Sequence, residues 1–335
     1  MTTLVTGGAG YVGSHTVAAL AAAGHDVVIL DDFSNARRDL VGALRSLTTQ
    51  KLEVVEGDAG DRATVDAVFD AYRIESVVHF AAHKSVPESV AEPLRYFRNN
   101  LMSTLTLAAA AVERQVGRFV FSSSAVVYGT PAALPVTEET PTEPESPYGA
   151  TKIMCERVLS DVASASGMQV VMLRYFNPVG AHPTGIIGED PPGEATNLVS
   201  AVMRVAAGTL DKFEIFGGDY PTRDGTAIRD YIHVMDLADG HLAALAANLG
   251  ERPSRIFNLG TGVPTTVLEV VAAASEAAQR AIPFEIVARR PGDLGASWAD
   301  CSRAARELEW QARRGLNEML EDHWRFVSGR SDRQH

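Results

Sequence analysis

The chain has 335 residues, of which 46% are hydrophobic and 21% charged, and this composition favours a large folded protein over a disordered one. A net charge of −12 argues against nucleic acid as a partner, although an anionic small molecule could bind where Arg or Lys cluster locally. Cys155 and Cys301 provide neither metal-binding spacing nor a disulfide framework, so no metal is expected. With no basic signal segment and no apolar run of membrane-spanning length, the sequence predicts a cytoplasmic protein that does not contact a membrane.

A glycine-rich turn comes after the first predicted strand, residues 4–6. Gly7, Gly10 and Gly13 lead into an apolar helix over residues 17–23. Glycines at this spacing let the backbone turn tightly and approach a pyrophosphate at the positive end of the helix. Because many glycine-rich turns are purely structural, the motif alone does not establish nucleotide binding.

An acidic residue ends the second predicted strand, residues 27–30. Asp31 lies about 20 residues past the glycines, where a carboxylate can accept hydrogen bonds from an adenosine ribose and would repel a 2′-phosphate. Asp58, just after the third strand, is a second place where a carboxylate or the backbone could meet the adenine. The order of strand, glycine turn, helix, strand and acid therefore predicts dinucleotide binding and favours NAD over NADP.

Strands and helices alternate through the first half of the chain. Further strands are predicted at residues 52–56, 77–80, 118–122 and 170–174, and helices at residues 62–72, at 93–116 and from Pro147 onward. This alternation predicts an α/β fold, a doubly wound parallel sheet of Rossmann type, with ligands at the carboxyl ends of the strands.

The amino-acid composition of the chain changes near Asn177, where a glycine- and proline-rich run begins. The later predicted elements are shorter, with helices at residues 198–207, 235–248, 267–278, 301–308 and 315–327 and strands at 213–216, 231–234, 256–259 and 284–288. We predict an NAD-binding domain over residues 1–176 and a smaller mixed α/β substrate lobe over 177–327, segments of which could return to the first domain. Residues 328–335 are expected to form a frayed tail.

Tyr148 and Lys152 lie one turn apart on a helix that Ser146 can cap and Pro147 can begin. An ammonium held near a phenol favours the phenolate, which would lower the pKa of the tyrosine and make it a usable base. The alternative is a surface tyrosine and lysine on an ordinary helix. Ser124 could supply the hydroxyl that bridges a substrate oxygen and this tyrosine, whereas the two serines before it are interpreted as part of a serine-rich loop.

Seven segments carry a family resemblance: residues 4–8, 13–16, 121–125, 146–149, 174–183, 229–241 and 289–294. With the glycine turn and the Tyr148–Lys152 pair, they are similar to the UDP-glucose 4-epimerase family of extended short-chain dehydrogenase/reductases. The similarity extends from Thr3 to about Trp324.

The resemblance implies reversible C4 epimerisation of UDP-glucose and UDP-galactose through a 4-keto sugar. Tyr148 would remove the O4 proton while hydride leaves C4 for tightly bound NAD, Lys152 would bind the nicotinamide ribose and lower the tyrosine pKa, and Ser124 would hydrogen-bond O4. The implied NAD contacts are Gly7, Gly10, Tyr11, Val12, Gly13, Asp31, Asn35, Asp58, Phe80, Ala81, Lys84, Asn99, Ser122, Tyr148, Lys152 and Tyr175. The implied UDP-sugar contacts are Lys84, Ser124, Tyr148, Asn177, Asn197, Phe216, Arg229, Arg290, Asp293 and Ser297.

The resemblance makes specific claims about three positions of the second lobe. Arg229 would clamp the diphosphate, unless it forms a salt bridge with the loop of Asp230, and Phe216 would pack near the uracil, unless it is plain core. Ser297 is the informative departure, because the family resemblance places this position in the wall of the sugar pocket, where a tyrosine restricts the substrate. A serine there predicts room for the 2-acetamido group of UDP-GlcNAc and UDP-GalNAc.

Other functions remain open on the same fold. A 4,6-dehydratase would need an added carboxylic acid beside Ser124, which Ala125 and the valines after it do not provide. A decarboxylase or uronate epimerase fits the Arg229 and Arg290 segments less well, and a dinucleotide sensor would not need the three catalytic candidates. The long apolar helix over residues 93–116 and the Tyr148 helix also predict a homodimer built as a four-helix contact.

Overall fold

The computed structural model describes residues 1–190, 197–290 and 292–331. Its strands are β1 (Thr2–Thr6), β2 (Asp26–Asp31), β3 (Leu52–Glu56), β4 (Ser76–His79), β5 (Arg118–Ser124), β6 (Gln169–Tyr175), β7 (Asn177–Val179), β8 (Phe213–Phe216), β9 (Ile228–His233), β10 (Ser254–Leu259), β11 (Pro264–Thr266), β12 (Phe284–Val287) and β13 (Ala296–Ser297). Its helices are α1 (Tyr11–Ala22), α2 (Leu40–Ser46), α3 (Arg62–Ala71), α4 (Val86–Ala91), α5 (Pro93–Glu113), α6 (Pro147–Ser166), α7 (Leu198–Ala206), α8 (Val234–Ala246), α9 (Val267–Ala278), α10 (Ser302–Glu307) and α11 (Leu316–Ser331), with a 3-10 helix at Ala125–Tyr128.

A seven-stranded sheet in the order β10-β6-β5-β4-β1-β2-β3 forms the centre of the molecule. All of its neighbouring strands are parallel. The strand order reverses between β1 and β4, so the helices after these strands leave on opposite sides and open a crevice at the carboxyl edge. The predicted fold class, a doubly wound parallel α/β sheet, is confirmed.

Both faces of this sheet are covered by helices, which explains why the middle residues of its strands are apolar. Alternate residues of each strand point to opposite faces, so Val5 of β1 joins the core under α1 and α8, whereas Leu4 joins the core under α3, α5 and α6. Phe119 and Val120 divide in the same way on β5, and all four side chains are fully buried.

A second set of elements forms a smaller lobe. β9 lies at the centre of a sheet with β11, β13 and β7, β8 pairs with β12, and α7, α9 and α11 enclose a separate core. Between them the chain returns to the large sheet, because β10 pairs with β6 and α8 packs on α1. The division at residue 176 stays a prediction. Residues 328–331 continue α11, residues 332–335 lie outside the described residues, and the frayed tail stays a prediction.

In the part of the chain that the structure describes, none of the helices combines the length and apolar character needed to cross a membrane. Two short helices, α2 and α4, and the short strands β7, β11 and β13 have no counterpart among the predicted elements, because each is too short to show a periodic pattern.

Candidate active site

The glycine turn forms a cradle that leaves no room for side chains. Gly7 has a left-handed backbone (φ +68°), and its N–H donates to the Leu30 carbonyl at 2.9 Å. A Cβ atom on Gly7 would lie 2.7 Å from the Ala81 amide nitrogen, and one on Gly13 would lie 2.2 Å from the Gly7 carbonyl oxygen. Both positions therefore require glycine, and the amino end of α1 faces the crevice with its backbone exposed to a ligand.

Asp31 joins the second strand to this cradle. Its Oδ2 accepts from the Ala9 N–H at 2.9 Å and its Oδ1 accepts from the Phe33 N–H at 2.9 Å. Burial raises the pKa of the carboxyl group, and the two backbone donors oppose that shift. The predicted acid at the end of β2 therefore lies beside the glycine turn, although its position alone does not show what it binds.

A cleft of about 330 Å³ opens next to the turn. Three residues predicted to bind NAD, Tyr11, Asn35 and Lys84, line it together with Glu189 and other side chains. The Tyr11 hydroxyl donates to the Gly180 carbonyl at 2.7 Å and so fixes that side of the cleft to the second lobe. Lys84 Nζ lies 3.9 Å from Glu189 Oε1, and its side chain is more than half exposed.

The other predicted cofactor residues also lie near the carboxyl edge of the sheet. Asp58 accepts from the Gly60 N–H at 2.7 Å in the turn after β3, and Phe80 follows β4 with its ring centroid 4.7 Å from that of His241. Asn99 lies on α5 and donates to Asn100 Oδ1 at 3.1 Å. Val12, in the first turn of α1, packs against the core beneath the glycine turn.

The predicted helix of Tyr148 and Lys152 begins as its sequence indicates. Ser146 is the N-cap of α6 and its side chain accepts from the Gly149 N–H, while Pro147 occupies the first turn. Lys152 is buried and donates to the Ser122 carbonyl at 2.8 Å. The helix therefore brings both side chains to the carboxyl end of β5.

Ser124 completes this group, because it lies near enough to Tyr148 to oppose the rise in that residue's pKa, and its Oγ accepts from the Val126 N–H at 3.3 Å. Tyr175 lies opposite Ser124 in the β5–β6 register, and its hydroxyl contacts the Ser122 hydroxyl. The interpretation of Ser122 and the next residue as a serine-rich loop is wrong, since β5 extends through Ser124.

The protonation states differ from the sequence prediction. Burial raises the pKa of Tyr148 to about 12, and only the nearby Ser124 hydroxyl opposes that shift. Lys152 Nζ lies 5.8 Å from the centroid of the tyrosine ring and is bonded to a backbone carbonyl instead. Burial also lowers the pKa of Lys152 to about 8. Lys152 therefore does not by itself make Tyr148 a base near neutral pH, because desolvation of the phenolate outweighs the distant ammonium.

Arg229 and Ser297 are neighbours in the second lobe, where β13 pairs with β9. Arg229 Nη1 donates to the carbonyl oxygens of Ile228 at 2.9 Å and Leu294 at 2.8 Å. The alternative of a salt bridge with the Asp230 loop is wrong, because the Asp230 carboxylate accepts from backbone N–H groups of neighbouring loops. Arg229 thus lies beside Ser297, the residue predicted to leave room for a 2-acetamido group on the sugar.

Arg290, Phe216 and Asp293 form a second group. Arg290 Nε donates to Asp293 Oδ2 at 3.0 Å, and its guanidinium carbon lies 4.3 Å from the Phe216 ring centroid. Phe216 is half-buried, so the plain-core alternative is wrong. Asn197 and Asn177 lie apart from this group: the first donates to Glu189 beside the cleft, and the second is exposed on β7.

Sequence reasoning missed one set of residues at the site. Ser123, Glu156 and Arg174 form a buried hydrogen-bonded cluster directly behind Ser124 and Lys152. The sequence does show that Glu156 lies one helical turn after Lys152. It does not show that Ser123 and Arg174 bind Glu156, because those contacts depend on the register of β5 and β6.

Comparison with known proteins supports one family. Residues 3–260 match the NAD dependent epimerase/dehydratase family. A UDP-glucose 4-epimerase from Bacillus subtilis (strain 168) is 48% identical over 329 residues, which cover 98% of this chain and 97% of the relative.

Two solved structures have the same fold over nearly the whole chain. A UDP-glucose 4-epimerase from Bifidobacterium longum, in complex with NAD+ and UDP, superimposes with a TM-score of 0.95 at 43% identity and 99% coverage of each chain. A UDP-Glc/GlcNAc 4-epimerase from Campylobacter jejuni gives a TM-score of 0.84 at 36% identity, with 98% of this chain and 99% of that chain covered. The chain therefore belongs to the NAD dependent epimerase/dehydratase family and, within it, to the UDP-glucose 4-epimerases.

Proposed function

We propose that the protein interconverts UDP-glucose and UDP-galactose at C4, using bound NAD, and that it also interconverts UDP-GlcNAc and UDP-GalNAc. The observation that carries this proposal is the meeting of Ser124, Tyr148 and Lys152 at the carboxyl end of β5, next to a glycine cradle on the same sheet edge. The family of the chain agrees with it.

The residues present fit NAD. The cradle of Gly7 and Gly13 would hold the pyrophosphate, Asp31 would accept from the adenosine ribose, and Lys84 and Asn35 would line the cleft beside it. When bound, NAD supplies a hydride acceptor that takes the C4 hydrogen and returns it, so the reaction needs no external oxidant.

Tyr148 and Ser124 would handle the proton of the sugar O4. The two side chains lie together, so Ser124 would contact O4 while Tyr148 accepts its proton, and Tyr148 would return that proton when the keto group is reduced. Because the pKa of Tyr148 is about 12 in the protein alone, the phenolate needs more positive charge than Lys152 provides. The positive charge of the oxidised cofactor would supply it, so the base would form only in the loaded site.

The two arginines of the second lobe suit a diphosphate. Arg229 and Arg290 lie on either side of the loop that carries Asp293 and Leu294, and each guanidinium has further N–H donors that could bind phosphate oxygens. Phe216 lies under Arg290 and would pack against the uracil. Asn177 and Asn197 are the remaining proposed contacts to the sugar and phosphate.

Our proposal of a wide sugar pocket rests on Ser297. It is a half-buried residue beside Arg229, and a hydroxymethyl side chain there leaves free the volume that a tyrosine ring would fill. Ser297→Tyr should therefore abolish turnover of UDP-GalNAc while retaining that of UDP-galactose. Ser297→Ala is the matched control and should retain both, and loss of both activities in the tyrosine variant would contradict the proposal.

We also propose a homodimer. Six large apolar side chains on α4, α5 and α6 are exposed: Val86, Val90, Leu94, Met102, Leu105 and Met154, at 40%, 63%, 83%, 47%, 44% and 45%. α5 and α6 pack against each other, so a second copy could cover their outer faces as a four-helix contact. Sedimentation at micromolar concentration should give a dimer, Met102→Glu should give a monomer, and a monomeric wild-type protein would refute the contact.

The enzymatic proposal is tested by incubating purified protein with UDP-galactose and, separately, UDP-GalNAc, without added NAD. Turnover of both is expected, and Tyr148→Phe should abolish it because the phenyl ring cannot accept the O4 proton. Activity on UDP-galactose alone would refute the wide pocket. Inactivity on both, even after NAD is added, would refute the function.

A further inference from the structure

A buried polar row crosses the sheet directly behind the candidate catalytic residues. Ser123, Arg174 and Asn258 are register partners on β5, β6 and β10, and each immediately precedes a residue of the row that contains Ser124 and Tyr175. Their exposed fractions are 1%, 4% and 0%. Polar groups buried so completely are costly unless they are paired, so each needs a partner inside the protein.

Glu156 of α6 is the common partner of Ser123 and Arg174 in this row. Its Oε1 accepts from Ser123 Oγ at 2.5 Å and from Arg174 Nε at 2.9 Å, and its Oε2 accepts from Arg174 Nη2 at 2.6 Å. The Arg174 guanidinium carbon also lies 5.0 Å from the Tyr128 ring centroid, and the Tyr128 hydroxyl donates to Asn258 Oδ1 at 2.6 Å. One carboxylate thus ties α6 to two adjacent strands.

Glu156 lies one turn after Lys152, so the same contacts determine where the lysine sits. Lys152 is 3% exposed and has one oxygen partner among the described residues, the neutral carbonyl of Ser122. Two buried cations, Lys152 and Arg174, therefore share one buried anion. An isolated buried ammonium tends to lose its proton, and a nearby carboxylate opposes that loss.

We propose that Glu156 is a positioning residue of this enzyme: it docks the catalytic helix on β5 and β6, and its charge keeps Lys152 an ammonium. The proposal rests on the function proposed above. Burial lowers the pKa of Lys152 to about 8, and Cys155 and Glu156 oppose that shift; of these two, the Glu156 carboxylate is the group that carries a charge near neutral pH. Without that charge, a larger fraction of the lysine would be the neutral amine near pH 7.

The other groups around Lys152 do not replace Glu156. On its own helix, burial raises the pKa of Tyr148 to about 12 and also raises that of the Cys155 thiol, so both are neutral near pH 8. His79 faces the lysine from β4, and burial lowers its pKa to about 3, so it too is neutral. Tyr175 on β6 has its pKa raised by burial. Glu156 is thus the anion available to this ammonium among the described groups that face it.

The test is an NMR titration of protein labelled with [ε-13C]lysine, which is practical because the chain has four lysines and Lys152→Arg assigns the signal. In Glu156→Gln the titration midpoint of Lys152 should fall by about one pH unit. The alkaline limb of kcat for UDP-galactose should move by the same amount. An unchanged midpoint in Glu156→Gln would overturn the proposal.

Asp236→Asn is the matched control, because Asp236 is a buried carboxylate on α8 that binds Arg314 at 2.5 Å and the N–H groups of residues 313 and 314. It should lower stability and leave the Lys152 midpoint unchanged. The NMR readout does not need turnover, so an inactive wild-type protein would refute the proposed function and still allow the charge coupling to be decided.

If Glu156→Gln does not fold, Ser123→Ala decides the docking role, because it removes one hydrogen bond and keeps the charge. Its kcat should fall several-fold with an unchanged KM and an unchanged alkaline limb. Ser164→Ala, which removes a hydrogen bond to the Ser160 carbonyl on the exposed side of α6, is the control. A Ser123→Ala enzyme with the kcat of that control would overturn the docking role.

Discussion

Five of the described histidines are buried; His233 hydrogen-bonds to Asp322, and the other four, which have no hydrogen-bonded carboxylate among the described residues, make the stability of this protein strongly dependent on pH below 7. His15, His79, His241 and His323 are at most 1% exposed. Burial lowers the pKa of His15 and His79 to about 3 and that of His241 and His323 to about 4. The folded protein therefore keeps these four rings neutral as the pH falls, whereas the unfolded chain protonates them near the ordinary histidine pKa of about 6.5.

The sign and size of the effect come from proton linkage. A group that binds a proton only in the unfolded state lowers the free energy of unfolding as the pH falls below its unfolded pKa. Between pH 7.5 and 5.5 each such histidine costs somewhat more than about 1 kcal/mol, so four cost about 5–6 kcal/mol, against a total stability of about 5–15 kcal/mol. For a chain of this length the unfolding entropy is about 0.7 kcal/mol per kelvin, which predicts a fall in Tm of about 8 °C.

Differential scanning calorimetry of the holoenzyme at pH 7.5 and 5.5 measures this directly. His241→Phe, next to the ring of Phe80, should remove about a quarter of the shift. His25→Gln is the control, since that ring is only partly buried and should contribute less. A Tm that is equal at the two pH values, or a His241→Phe protein with the full shift, would refute the linkage to these histidines.

Three further changes test the site. Gly13→Ala should abolish NAD retention, because its methyl group would lie 2.2 Å from the Gly7 carbonyl oxygen. The amount of nucleotide released on denaturation measures the retained NAD, and full retention would contradict the proposal that the glycine turn holds the cofactor. Arg290→Ala should raise KM for UDP-galactose about 10- to 100-fold with little change in kcat, because it removes one charged hydrogen-bonding group. An unchanged KM would exclude a role of Arg290 in binding. Asp31→Asn should lower the preference for NAD over NADP in binding assays, because it removes the charge that repels a 2′-phosphate; an unchanged preference would contradict that role.

Much of this architecture could be predicted from local pattern. The strands end in polar residues, and parallel strands bring those ends to one edge, so Asp31, Ser124 and the Tyr148 helix were expected near each other from the sequence alone. The cap at Ser146 and the left-handed glycine just after α1, Gly24 at φ +86°, are likewise local signals that the structure confirms.

The features that sequence could not provide depend on long-range packing. The pKa of Tyr148 depends on how deeply its hydroxyl is buried, and burial raises this pKa by more than a lysine one turn away lowers it. Ser123 was interpreted as one of two loop serines, because its partner Arg174 is 51 residues distant and meets it only in the β5–β6 register. Arg229 was expected to have a neighbouring carboxylate as its alternative partner, but it reaches a carbonyl 65 residues away.

The most direct test of the central claim is to convert UDP-galactose to UDP-glucose in D2O, with purified protein and no added NAD. We predict UDP-glucose with no deuterium at C4, because the hydrogen that leaves C4 is held within the site and returned to the same carbon. Deuterium at C4 would mean that this hydrogen exchanges with solvent as a proton, and would contradict the proposed mechanism.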